Sequence, residues 1–247
     1  FSSAFESAVT ADPQRFASFA LTLPVDIHED YINALYRGLD NETNRTQSKL
    51  TEACKPCPIE LVEQVINHFG PSKFSRALQH LLSSNITDIS SMHVELLENI
   101  AKYSDDPQPH RLNIYHQRHP EELDDISSKD LYLNTINCTR GSAYIGLARK
   151  FWEDQEYSIS HKYIIENALN DEHAAVRMAT ATLLLPMYNY DRDYAFNKFI
   201  ELCRKDIRNA LSYGSHYYFN NAFHSSHIEP FTSLVKVMIE SKYNDVR

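Results

Sequence analysis

Residues Asp171–Cys203, DEHAAVRMATATLLLPMYNYDRDYAFNKFIELC, decide the fold class. Val176, Ala179, Thr180, Leu183 and Met187 recur at i, i+3, i+4, i+7 and i+11, the spacing that places side chains on one face of an α-helix. Asp171 stands where a helix start needs an acceptor for its unpaired amides. Phe196, Phe199, Ile200 and Cys203 repeat the stripe. Between the two, Pro186 removes an amide donor, and Asn189-Tyr190-Asp191 is polar enough to let the chain reverse. The stretch therefore reads as two helices of an αα-hairpin.

The same stripe recurs on both sides. Toward the C-terminus, helices are expected around Tyr217–Phe223 and over Ile228–Ser241, the latter turning Phe231, Leu234, Val235, Met238 and Ile239 inward. Toward the N-terminus they fall at Lys129–Asn137, at Thr139–Glu153 with Tyr144, Leu147, Ala148 and Phe151 aligned, and around His161, Ile164, Ile165 and Ala168. Ser104 to Ser128 carries prolines, histidines and acids without a stripe, which predicts a long loop or insertion. Further back, Asp12-Pro13 opens a helix with Phe16, Phe19, Ala20 and Leu23, and Ile32, Leu35, Tyr36 and Leu39 mark the next. A polar segment follows from Asp40 to Pro58. Pro58 then starts a helix with Ile59, Val62, Ile66 and Phe69, ended by Gly70-Pro71. Phe74, Ala77, Leu78 and Leu81, and then His93, Leu96, Leu97 and Ile100, complete the set. Helices this short are not stable alone, so each must be covered by its neighbours. With only 5 Gly, turns at positive φ must be few. The expectation is an all-α chain, an α-solenoid of stacked antiparallel helix pairs.

Asp171, followed by the Val176-Arg177 pair with Ala179 and Ala181 behind it, resembles the second-helix signature of HEAT repeats. The resemblance implies a structural role, in which Asp171 and Arg177 link neighbouring turns and repeats through hydrogen bonds. The stretch from about Thr139 to Ser241 is similar to the HEAT-like arrays of large bacterial STAND-type NTPases of the NACHT or antiviral class. It carries TRGSA (Thr139–Ala143), AAVRMATATLLLPMYNYDRDYAFNKFIELC (Ala174–Cys203) and EPFTSLVKVMIES (Glu229–Ser241). The N-terminal DPQRFASFALTLP and YINALYRGL are similar to segments of such arrays, less closely. The organisation expected is residues 1–103 as an N-terminal helical half-array, 104–128 as the loop or insertion, and 129–247 as a C-terminal HEAT-like half-array, together one continuous HEAT-like or ARM-like superhelix. The function implied is that of a noncatalytic, protein-binding scaffold, the sensor or regulatory arm of an NTPase in bacterial defence. Its partner would be another protein or another domain of the same polypeptide. The sequence opens on Phe1 and ends on Arg247 without a clear stop signal, so a fragment of a longer chain is expected, with any NTPase module upstream of Phe1.

Composition narrows the alternatives. A net charge of −9 disfavours whole-molecule attraction to nucleic acid or anionic membranes. No apolar run approaches the roughly 20 residues of a membrane helix, and there is no secretory leader, so a cytoplasmic location is expected. The N-x-S/T matches at Asn41, Asn44, Asn85 and Asn137 then carry no glycosylation argument.

Four groups of residues suggest chemistry. Cys54 and Cys57 have zinc-knuckle spacing, and His224 and His227 are the weak candidates to complete a site. Cys138 and Cys203 sit alone at helical stripes, so reduced cysteines and no metal are expected. His110, His116 and His119 lack a carboxylate pattern and read as solvated loop residues. Gly141-Ser142-Ala143-Tyr144-Ile145-Gly146 has phosphate-loop glycine spacing, but Leu147-Ala148 replace the Lys and Ser/Thr that meet phosphate and magnesium. No cofactor is expected. Lys198, Arg204, Lys205 and Arg208, with Tyr217 among the aromatics that follow, form the nucleic-acid patch to weigh, since rings stack on bases while cations meet phosphate. A cationic helix C-terminus complementing its dipole, beside aromatic core, explains the same residues and suits the net charge better. The alternative function is a HEAT-like nucleic-acid-binding protein or DNA glycosylase.

Overall fold

The computed structural model describes residues 2–40, 56–70, 75–108, 126–221 and 227–246. Among them are fourteen α-helices, one short 3-10 helix and no strand, so the chain is all-α. No described helix is long and apolar enough to cross a membrane. Only Gly70 and Gly214 take positive φ among the described residues. The chain divides into two compact units, Phe1–Ile100 and Ala101–Arg247.

In the first unit the helices are α1 (Ser2–Ala11), α2 (Pro13–Ala20), α3 (Glu29–Leu39), α4 (Ile59–Phe69), α5 (Arg76–Ser84) and α6 (Ser91–Tyr103), whose last turn contains the division. Their starts follow from local chemistry. Asp12 accepts the Arg15 amide with Pro13 at the first helical position, and Ser75 accepts the Leu78 amide. Pro58 begins α4, and Gly70, at φ 68°, ends it. α3 packs on α1, and α5 on α3. Leu35, Leu39, Ile66, Leu78, Leu81, Leu82 and Leu97 fill the core.

The second unit holds α7 (Ser128–Asn137), α8 (Thr139–Glu153), α9 (Gln155–Ser160), α10 (Lys162–Leu169), α11 (Ala174–Tyr190), α12 (Arg192–Lys205), a 3-10 turn (Ile207–Leu211), α13 (Ser215–Asn221) and α14 (Ile228–Ile239). α11 is its hub and packs against α7, α8, α10 and α12. Twelve of its 17 residues are buried, on every side, as expected of a helix apolar all round. Thr135 of α7 donates its hydroxyl to the Ala175 carbonyl at 2.8 Å, fixing one such contact. Gly141 lets α8 start against the Thr135 carbonyl and the Cys138 sulfur, where a Cβ has no room.

Four local expectations need correction. Pro186 does not end the first helix of the decisive stretch: α11 runs through it to Tyr190, because burial of so many side chains outweighs one lost backbone hydrogen bond. Asp191 alone makes the turn and accepts the Tyr194 amide that opens α12. Asp171 does not cap α11; His173 does, by accepting the Ala175 amide. The stripe of α2 is rotated from expectation, since Ala17 and Ala20 are buried while Phe19 is exposed; that of α14 keeps its face at Phe231, Leu234, Val235 and Met238 but is covered only in part, with Leu234 buried and Ile239 exposed.

A close approach in the first unit yields a test. A Cβ on Gly38 would stand 2.5 Å from Val9 Cβ and 3.0 Å from the Glu6 carbonyl oxygen. Gly38→Ala should therefore force α1 from α3 at a cost of about 1–3 kcal/mol, which outweighs the gain of up to about 1 kcal/mol from better helix propensity. Urea unfolding measures it, and an unchanged or raised midpoint contradicts this packing.

Candidate functional site

Asp171, at the loop before α11, sits at the centre of a polar ladder. Its Oδ1 accepts from Arg140 Nη2 at 3.0 Å and from the His173 amide at 2.8 Å. Both charged side chains are nine-tenths or more buried. Arg140 also donates from Nη1 to the Ser104 carbonyl at 3.0 Å, and its own amide donates to the Asp106 carbonyl at 3.0 Å. The Asp106 carboxylate in turn accepts from the Thr139 amide and hydroxyl, each at 2.7 Å. This matters locally because Cys138 offers α8 no side-chain cap. Asp106 supplies the cap from 33 residues away, and its negative charge offsets the cost of an arginine beside a helix N-terminus.

Arg177 acts closer to home. Its Nη1 donates to the Asp171 and Glu172 carbonyls, at 2.8 Å each, tying the loop to the first turn of α11, while Val176 is wholly buried beside it. The long-range cation of the ladder is Arg140, which the sequence reading quoted only within TRGSA. Its legible trace is spacing: Arg140, Arg177 and Arg208 recur at intervals of 37 and 31 residues.

The cationic patch is dispersed among intramolecular partners. Lys198 is paired with Glu166 and Glu201; burial pulls its ammonium down, but these carboxylates outweigh that and raise it. Lys205 donates to Asn170 Oδ1 at 2.6 Å. Arg208 is buried, forks onto both Asp206 carboxylate oxygens at 2.9 and 2.6 Å, donates to the Ile126 carbonyl, and lies 4.9 Å from the Tyr243 ring. Arg204 and Tyr217 are exposed, whereas Tyr218 is buried and stacked on Phe199. Three of the four cations thus already hold acidic or amide oxygens.

Cys54 and His224, like His110, His116 and His119, lie outside the described residues. Cys57 is buried, and burial pushes its thiol up to about 11. Cys138 and Cys203 are buried as well, the first pushed up to about 12 by desolvation. His227 lies 2.9 Å from Asp193 and is stacked on Phe196. No group of three or more metal-ligating side chains comes together among the described residues.

One polar cluster escaped the sequence reading. His93, which carried only a stripe position there, is buried with Nδ1 2.8 Å from Ser90 Oγ and 3.1 Å from Glu63 Oε1, and the Ser90 amide donates to the same Glu63 oxygen. The hydroxyl and the carboxylate meet one ring nitrogen, whereas a proton relay needs one on each. The arrangement holds the start of α6 onto α4.

Comparison with protein-family models, curated protein sequences and solved structures returned no match.

Two measurements follow. Removing one member of a buried ion pair strands the other, so Asp171→Asn and Arg140→Met should each cost about 3–5 kcal/mol, with the double variant costing less than their sum. Additive losses in urea unfolding contradict a coupled pair. Burial pushes the Glu63 carboxyl up, but the Ser90 hydrogen bonds and His93 outweigh it and hold it below its usual range. A depressed folded value means stability that is present above the unfolded carboxylate range, about 4.3, and lost as pH falls through the folded value. The stability gap between wild type and Glu63→Gln should therefore shrink as pH falls below about 4, and a constant gap contradicts the assignment.

Proposed function

We propose that the Ala101–Arg247 unit is a HEAT-like stack of helix pairs that acts by binding rather than by catalysis, as a scaffold or sensor arm for a protein partner or another domain of the same polypeptide. One observation carries the binding part of this reading. Trp152, Ile159 and Tyr163, spread over α8 to α10, are each nearly half exposed, although the unit has a large buried core beside them. Large apolar side chains held at the surface of rigid helices are the usual material of protein-binding faces, and aromatic ones are enriched there. The stacked-pair architecture is supported by the buried Asp171–Arg140 link across 31 residues and by Arg208, which Asp206 holds locally while it donates to the Ile126 carbonyl. The regulation of a STAND-type NTPase rests on the sequence resemblance.

The test places a photo-crosslinking amino acid at Tyr163 in the native host. A discrete protein adduct, or an intramolecular one to another domain, that Trp152→Glu abolishes is the expected result. No adduct from positions 152, 159 and 163 contradicts the reading. In parallel, titration with duplex and single-stranded nucleic acid at low salt should give no binding. Binding that falls steeply with salt would instead make the chain a nucleic-acid-binding protein.

A further inference from the structure

The last helix of the second unit is apolar yet barely covered. α14, IEPFTSLVKVMI, rests on α12 through Leu234, and Phe231 meets Phe219 edge-on with ring centroids 5.4 Å apart. Ile228 is 49% exposed and Ile239 64% exposed. Ile228, Phe231, Val235 and Ile239 fall at i, i+3, i+7 and i+11, so they form one seam along the helix beside Leu234, exposed at its two ends, Ile228 and Ile239, and half-buried at Phe231 and Val235. This is the spacing with which one helix receives another.

The charges beside that seam say which helix fits. Glu229 and Lys236 are exposed and make no ion pair among the described residues. They stand two turns apart, about 10 Å along the axis, on the same flank of the seam. When two identical helices meet antiparallel across a two-fold axis, each flank faces its own copy, running the other way. An axis passing midway between Glu229 and Lys236 therefore sets Glu229 against Lys236 of the partner subunit, and the reverse, giving two opposite-charge pairs. A parallel pairing would set this flank against the opposite one, which carries Leu234, Pro230 and Val237 and no charge.

We propose that α14 is a self-association surface, on which a second copy of this chain docks its own α14 antiparallel, the apolar seams in contact and the Glu229 and Lys236 side chains paired across them. This goes beyond the scaffold reading and stands on a different face. A single helix pair is a small interface, so the dimer should be weak, with a dissociation constant on the order of 10–100 µM.

Sedimentation equilibrium of the 247-residue chain tests it. The apparent mass should rise with concentration from 28.6 kDa toward twice that value. Ile239→Glu should weaken association at least about tenfold with the circular dichroism spectrum and melting temperature unchanged, because the side chain is exposed. Glu229→Lys and Lys236→Glu should each weaken it several-fold, and the two together should restore it to within about twofold. A chain that stays monomeric at about 200 µM overturns the proposal. So does a dimer indifferent to Ile239→Glu, a charge swap without rescue, or an α14 seam covered instead by a different protein.

Discussion

The buried pair Arg140–Asp171 is the interaction on which the second unit depends. A charged pair taken out of water earns little net stability, because desolvating two ions consumes most of their attraction. What it supplies here is register. From the first turn of α8, Arg140 reaches Ser104 and Asp106, just after α6, and Asp171, just before α11. An apolar contact between the same helices would tolerate sliding by a turn. A guanidinium aimed at one carbonyl and one carboxylate, with the backbone amide of the same residue on a second carbonyl, does not, since any shift leaves buried polar groups unpaired.

Around that fixed point the apolar chemistry is generous. α11 is buried on every side, so its position is set by four neighbours at once and its proline is carried without ending the helix. Farther along, Arg208 and Asp206 repeat the device on a smaller scale, reaching the Ile126 carbonyl. Moving outward from α11, burial thins, and at α14 one fully buried side chain remains. Large apolar side chains that stay about half exposed accordingly lie toward the margin, as at Trp152, Ile159, Tyr163 and Ile228.

How much of this the sequence revealed depends on the range of the interaction. Helix type and most limits were legible because stripes, caps and glycines act over a few residues: Thr139–Glu153 was read to the residue, and Asp12-Pro13 and Gly70 did what their chemistry predicts. Pro186 was misread because its local cost is visible in sequence while the burial that outweighs it is not. Phe19 was placed inward for a similar reason, since a stripe gives a face but the neighbours decide which edge of it is covered. The Asp171–Arg177 signature was visible, yet Arg140 was not assigned its part, because a partner 31 residues away leaves no local pattern. The Glu63–Ser90–His93 cluster was hidden in the same way, its carboxylate lying 27 residues from Ser90.

Native-state hydrogen exchange of the α8 and α11 amides tests the central claim most directly. If the ladder through Arg140 and Asp171 fixes these helices together, their slowest amides should share one opening free energy, the highest in the second unit, and should respond alike to low denaturant. Opening of α8 at a clearly lower free energy, independent of α11, would show that the buried pair does not bind the two into one element and would contradict the account.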